Sequence, residues 1–386
     1  MSVITETAAL AELCQHLERQ DYITVDTEFL RDATFWPRLC LVQLGADDGA
    51  WAIDPLAGDM DLAPLWALLV EAPLPKVFHA ARQDVEIIVR ATGRVPEPLF
   101  DTQIAAMVCG FGDQVGYERL VSELAKKRLD KSSRFTDWSR RPLTEKQIRY
   151  ALDDVIYLRP VYEALRDQLA ANNRSGWMQE ELSTLTDPAT YLAEPEDAWR
   201  RIRTRSTDPR FLAVLREVAT WRETEARGRD VPRTRLLRDE AMLEIAAQAP
   251  KTLEALDRLR GVPKGLAGGR VGKAVVDAVN RALALDPGER PKVESRPVVT
   301  ANTGPTVELL RVLLKMCCED AGVAQRLVAS GDDLERLAAD DDADIPALHG
   351  WRREVFGHQA LDLKHGHTAL ALKNGQVVVV DAAGGS

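Results

Sequence analysis

Residues 22–28 read YITVDTE, and this stretch decides the fold. Its β-branched and aromatic content predicts a strand, with Asp26-Thr27-Glu28 at its end. Strand side chains alternate, so Asp26 and Glu28 share a face roughly 6–7 Å apart. Two carboxylates so placed repel unless a cation sits between them, and a divalent metal with oxygen ligands answers that need. A polar strand end facing water is the plain alternative for Asp-x-Glu taken alone. Outward from it, residues 39–45 (LCLVQLG) form a second strand, and 50–53 a shorter one bounded by Asp-Asp-Gly and Asp-Pro turn signals. A helix over 62–70 leads into a strand over 76–79. Helix returns over 84–91, a short strand ends at Phe100, and 102–108 is helical again. This mixture predicts one α/β sheet domain covered by helices. From Tyr117 onward the strand signal vanishes, and 117–128 and 144–169 carry apolar residues at helical spacing.

Further acids belong to the same domain. Residues 79–86 (HAARQDVE) place Asp84 on the helix after the fourth strand. Residues 150–154 (YALDD) put Tyr150 and Asp154 one helical turn apart, with Asp153 also in reach of that face. Singly, each reads as a solvated helix face. Together they give four carboxylates and a tyrosine, the inventory of a two-metal site in which cations about 3.5–4 Å apart activate water and stabilise an in-line phosphoryl transition state.

Several ordered motifs resemble those of ribonuclease D. They are Asp26-Thr27-Glu28-Phe29, the HAARQD stretch, Phe100-Asp101-Thr102-Gln103, and Asp137-Trp138 with Arg141-Pro142-Leu143, Tyr150 and Asp154. The resemblance covers about residues 20 to 170. It implies a 3′→5′ exoribonuclease on a ribonuclease-H-like fold, with Asp26, Glu28, Asp84 and Asp154 binding two divalent ions (Mg²⁺ or Mn²⁺) and Tyr150 orienting the attacking water. It also implies RNA as substrate, especially the 3′ ends of tRNA precursors and other small structured RNAs, with release of nucleoside 5′-monophosphates. Phe29, His79, Trp138 and Arg141 are candidates for substrate contact: aromatics stack on bases and arginine meets phosphate. Packing is the competing role for each. Asp101 reads as a helix N-cap.

The remaining chain is helical. Between Trp199 and Arg238 arginines outnumber acids about two to one, with Trp199, Phe211 and Trp221 interleaved, which suggests a nucleic-acid footprint. This stretch resembles an HRDC domain through Leu215, Trp221-Arg222, Ala226, Pro232, Leu243, Ile245-Ala246, Pro250, Leu256 and Gly261. Residues around Gly350-Trp351-Arg352 and Phe356-Gly357 resemble a second, divergent unit, whose acidic tip at 340–344 argues against phosphate binding. The expected plan is an exonuclease domain over 1–186 (mixed sheet with flanking helices), a connection over 187–207, and an all-α HRDC domain over 208–285. A Pro-rich, polar linker over 286–305 and a second HRDC-like domain over 306–386 follow, ending in a β-hairpin at Asn374-Gly375.

Composition excludes several classes. Of 386 residues, 45% are hydrophobic and 28% charged, which is ordinary globular content. Fifty Lys+Arg against 60 Asp+Glu give a net charge of -10, unlike a broadly sticky nucleic-acid binder. Five cysteines without a C-x-x-C pair fit neither a disulfide framework nor zinc. The acidic start and the lack of any apolar run near ~18 residues predict a soluble, cytoplasmic protein without a membrane partner. Residues 267–274 (AGGRVGKA) lack the first Gly and the Ser/Thr of a phosphate loop, so no nucleoside triphosphate is expected. His365-Gly366-His367 shows no Cys or acid beside it in the sequence and is not expected to hold zinc; Cys317-Cys318 reads as a buried pair. The acids alone do not separate RNA from DNA, which leaves a 3′→5′ DNA exonuclease as the alternative. A nuclease-derived RNA-binding protein is a more distant one.

Overall fold

The computed structural model describes residues 3–130, 136–192, 194–263, 265–292 and 303–382; residues 293–302 of the expected linker lie outside these. Strand β1 (Val3–Ile4) and helix α1 (Thr7–Leu17) open the chain, and neither is among the elements expected above. The strand carrying the acid pair is β2 (Ile23–Leu30), followed by β3 (Arg38–Ala46) and β4 (Gly49–Ile53) as an antiparallel meander. Then come α2 (Ala63–Val70), β5 (Lys76–Phe78), α3 (Arg82–Thr92), β6 (Leu99–Asp101) and α4 (Thr102–Val108). The sheet order is β1-β4-β3-β2-β5-β6, with β1–β4, β2–β5 and β5–β6 parallel. The sheet is therefore mixed, and β2 lies inside it.

Alternation along β2 and β3 serves two layers. Val25, Val42 and Leu44 point into a core with Leu10 and Leu17 of α1, Leu65 and Leu68 of α2, and Val85 and Ile88 of α3. The other face is covered by α6 (Glu145–Ala171), which starts at Thr144 through a capping box with Gln147. Gly45 permits the close approach of α6. A Cβ there would stand 2.4 Å from the Thr24 hydroxyl and 3.1 Å from the Val155 carbonyl oxygen, and that hydroxyl donates to that carbonyl at 2.8 Å. The helix expected over 117–128 is shorter. After α5 (Tyr117–Leu120) the backbone widens into a π turn over Val121–Ala125, and Lys126 closes it at φ 54°.

Helix α7 (Ser175–Thr186) follows, and the segment expected as a bare connection over 187–207 proves to be partly core. Ala198, Trp199 and Ile202 are buried against α8 (Pro209–Arg229) and its partners. Those partners are α9 (Arg233–Leu236), α10 (Asp239–Gln248), α11 (Leu253–Asp257) and α12 (Arg270–Ala284). The last helical unit comprises α13 (Gly304–Ala321), α14 (Gln325–Val328), α15 (Gly331–Ala339), α16 (Gly350–Arg352) and α17 (His358–Lys364). Cys317 and Cys318 are buried in its core, as their sequence position suggests. The hairpin β7 (Thr368–Lys373) and β8 (Gln376–Asp381) ends the described chain, with Asn374 at φ 53° and Gly375 at φ 79°. Among the described residues no helix is long and apolar enough to cross a membrane.

Candidate active site

Asp26 and Glu28 project from β2 toward α6, where Asp154 looks back at them. One carboxylate oxygen from each lies within 4.8 Å of the others, and all three residues are half-buried. Asp84, in the first turn of α3, stands beside this triple and outside it. Its carboxylate accepts the hydroxyl proton of Thr27, whose side chain leaves β2 on the opposite face. A bulge follows immediately, shifting the β2–β3 register between Glu28 and Phe29.

The start of α3 is set by a strained turn. Ala80 adopts φ 57°, a left-handed conformation that costs a non-glycine residue roughly 1–2 kcal/mol. The carboxylate of Asp101 holds it there, accepting the N–H groups of Ala80 at 3.1 Å and Ala81 at 2.8 Å. The same carboxylate caps α4 through the N–H groups of Gln103 and Ile104, the N-cap role read from the sequence. Asp101 is thus saturated with backbone donors and serves to aim Asp84.

Among the described residues, none of the four acids has an ion pair with lysine or arginine. Burial first, and then the charge of Asp154, pushes the Asp26 carboxyl up to about 8. Burial, Asp26, Asp154 and Asp84 push Glu28 up to about 9, and burial with Asp153 pushes Asp154 up to about 7. Asp84 is raised well above the usual range by burial and by Asp26, partly offset by the Thr27 hydrogen bond. Four clustered carboxylates with no lysine or arginine paired to them among the described residues form an oxygen donor set suited to hard divalent metals.

A cavity of about 320 Å³ opens beside the acids, lined by Asp26, His79, Tyr117, Tyr150, Asp154 and Leu158 among others. Tyr150 is half-buried one turn before Asp154, its ring 6.1 Å from that of Trp138. His79 lies just beyond the end of β5. The Thr102 hydroxyl donates its proton to the Phe78 carbonyl at 3.0 Å, so it accepts from His79 Nδ1–H at 3.0 Å. That assigns the neutral tautomer with Nε2 as acceptor, and burial lowers the pKa of His79. Tyr117 was not singled out in the sequence. Its ring lies 5.4 Å from His79 and its hydroxyl donates to the Asp154 carbonyl oxygen at 2.6 Å. Only its place at the start of a helix after Gly116 is legible locally.

The other candidates do not line that cavity. Trp138 is 3% exposed, packed with Cys40, Leu41, Ala52, Ala151 and Leu152. The Arg141 guanidinium is committed to Asp54 at 2.5 and 2.6 Å and to the carbonyls of Cys40 and Trp138 at 2.7 Å. Both therefore tie the segment before α6 to the sheet. Phe29 is half-buried past the bulge and does not line the cavity. In the arginine-rich stretch Trp199 is core, and Phe211 and Trp221 are partly buried against the same helical core. His365 and His367 do have acidic neighbours in space, Asp341 at 2.7 Å and Asp362 at 3.4 Å, which the sequence alone did not reveal. Asp341 is also paired with Lys364, and these contacts lie on the surface of the last helical unit.

Comparison with known proteins gives two family models on this chain, one for a 3′-5′ exonuclease over residues 1–170 and one for an HRDC domain over 211–279. Ribonuclease D of Nitrobacter hamburgensis is 51% identical over 381 residues, covering 99% of this chain and 100% of that protein. The chain belongs to the ribonuclease D family. Ribonuclease D of Granulibacter bethesdensis is 49% identical over 366 residues, covering 95% of this chain and 93% of that one. The crystal structure of Escherichia coli RNase D, described as an exoribonuclease involved in structured RNA processing, superimposes with a TM-score of 0.80 at 31% identity. It covers 94% of this chain and 98% of that chain. As a ribonuclease D the protein is a 3′→5′ exoribonuclease acting on RNA, with the ribonuclease-H-like sheet followed by helical HRDC structure.

Proposed function

We propose that Asp26, Glu28, Asp84 and Asp154 hold two divalent cations, Mg²⁺ or Mn²⁺, and that the enzyme trims the 3′ ends of tRNA precursors and other small structured RNAs. The observation that carries this reading is the convergence of Asp26, Glu28 and Asp154 within 4.8 Å, with Asp84 beside them and no protein cation paired to any of the four among the described residues. When bound, the cations supply water activation and stabilisation of charge on the phosphoryl and departing 3′ oxygens. Tyr150 orients the attacking water through its hydroxyl, donor and acceptor at once. Tyr117 holds the α6 backbone at Asp154, while His79 and Leu158 wall the space for the terminal nucleoside. His79 offers Nε2 as an acceptor to a sugar hydroxyl, the group that distinguishes RNA. The division into 1–186, 208–285 and 306–386 belongs to the same reading, with 195–202 now packed on the first helical unit.

A 5′-labelled tRNA with a few extra 3′ nucleotides tests it. Stepwise shortening from the 3′ end with Mg²⁺, stopped by EDTA, is the expected result. A tRNA left untouched with Mg²⁺ and with Mn²⁺, while other RNA or DNA is degraded, overturns the substrate assignment.

A further inference from the structure

A second cavity, of about 260 Å³, lies where the exonuclease sheet meets the first helical unit, and arginine dominates its lining. Arg31 and Arg82 come from the exonuclease side, Arg201, Arg227 and Arg233 from the helical side. Two glutamates oppose these five positive charges, and both are spoken for. Glu86 pairs with Arg31 at 2.7 Å. Glu223, 1% exposed, is clasped by Arg233 at 2.5 Å and by Arg227 at 3.2 Å, which lowers its pKa despite burial. Arg82 is exposed and has no ion pair among the described residues, and Arg201 reaches Glu223 only at 3.9 Å. The local excess is positive in a chain whose net charge is -10.

The cavity is built, because its walls are fixed to each other. The Asp230 carboxylate, just after α8, accepts the N–H groups of Phe35 at 3.2 Å and Trp36 at 3.1 Å. Phe35 is buried against Ala226 and Leu236 of the helical unit. The Arg233 guanidinium lies 4.3 Å from the Phe35 ring centroid, and Arg90 lies 4.3 Å from that of Trp36. The cavity also adjoins the acids by covalent geometry. Arg31 is three residues beyond Glu28, about 10 Å of extended chain, and Arg82 is two residues before Asp84 in the first turn of α3.

We infer that this arginine-lined cavity binds a backbone phosphate of the RNA upstream of the bond being cut, so that the sheet domain and the first helical unit grip the substrate jointly. Planar guanidinium forks held in place by Glu223 and Glu86 suit a phosphodiester, which can accept two parallel N–H bonds from each. The inference rests on the RNA 3′ end lying in the cleft of Asp26 and Asp154.

Substrate length separates the two. A dinucleotide without a 5′ phosphate carries only the scissile phosphate and has nothing to offer the cavity; a ten-nucleotide RNA does. Turnover of both by the unaltered enzyme tests the cleft. Arg82→Gln and Arg201→Gln, one exposed residue from each wall, test the cavity. Each variant is expected to raise KM for the ten-nucleotide RNA about tenfold with kcat unchanged, as for a lost charge-assisted hydrogen bond. KM and kcat for the dinucleotide stay at the unaltered values. In binding measurements with Ca²⁺ in place of Mg²⁺, the double variant lowers the slope of log affinity against log salt by about 0.7, the increment for one single-strand phosphate contact. Arg82→Lys recovers part of the loss by restoring charge without the fork. Equal effects on dinucleotide and ten-nucleotide RNA, or an unchanged KM for the longer one, overturn the proposal.

Discussion

The four acids differ in how openly the sequence declares them. Period-two alternation alone places Asp26 and Glu28 on one face, and the structure keeps them there. Asp154 follows from one helical turn after Tyr150. Asp84 is different: its place beside the triple depends on the Thr27 hydroxyl and the Ala80 turn, which are contacts between elements and leave no periodic mark. Tyr117 is hidden for the same reason. The charges of these acids have a consequence for stability. Burial and mutual repulsion keep protons on Asp26 up to about pH 8 and on Glu28 up to about pH 9, against ordinary values of 3.8 and 4.5. Between those limits the unfolded chain binds fewer protons than the native one, so metal-free stability falls as pH rises. A divalent ion replaces the protons, so the rise in Tm with Mg²⁺ should grow from pH 5 to pH 8. Asp26→Asn should flatten the metal-free pH dependence while reducing kcat by more than about a hundredfold, the upper range for losing a mere outer-shell partner. Melting curves in EDTA and in Mg²⁺ across that range check the first part; single-turnover rates check the second. Tyr150→Phe should behave otherwise, lowering kcat by about a hundredfold, the lower range for positioned proton-handling groups, with the Mg²⁺-induced Tm shift intact.

Strands and helices around the acids were legible where one local signal dominates. The run around Asp26 is β-rich, the Thr144 cap opens α6, and Asn374-Gly375 turns the hairpin, each as its chemistry dictates. Elements defined by tertiary contact were not. Residues 195–202 carry Pro and mixed charge like a linker, yet Trp199 and Ile202 are captured by the apolar face of α8. The 117–128 helix stops early because Lys126 enters the left-handed region, which no propensity foretells for lysine. The turn over Ala80 is the most consequential of these. A glycine at position 80 relieves the left-handed strain, so Ala80→Gly should be neutral or stabilise by up to about 1 kcal/mol. Asp101→Ala instead strands four backbone N–H groups and releases the start of α3. It should cost about 2–4 kcal/mol and reduce kcat through misplacement of Asp84, although Asp101 itself is buried and bonded to backbone N–H groups. Urea melts give the first number. Comparing kcat in Asp101→Ala and Asp101→Asn gives the second, since the amide oxygen retains part of the N-cap.

The whole molecule closes around the sheet domain from two sides, and no sequence signal marks those junctions because each joins residues far apart in the chain. On one side the last helical unit docks on α7: Trp177 stacks on Trp351 at 4.2 Å and 11°, and Arg352 pairs with both Glu180 and Glu181. Arg174 adds hydrogen bonds to the carbonyls of Val108 and Gly322 at 2.9 and 2.8 Å. On the other side the first helical unit docks through Asp230 on Phe35 and Trp36, beside the arginine cavity. The two junctions predict different phenotypes. Arg352→Ala leaves Glu181, 13% exposed, without its cation, at a cost of about 2–3 kcal/mol. It should loosen the last unit, visible as an earlier melting step and faster amide exchange in α13, with KM for a ten-nucleotide RNA unchanged. Asp230→Ala removes two backbone hydrogen bonds where the cavity walls meet. It should raise KM for the ten-nucleotide RNA while sparing the dinucleotide, whose one phosphate does not reach the arginine cavity in the proposed binding mode. If both variants shifted KM equally, substrate grip would depend on closure from both sides, and the arginine cavity would lose its special place.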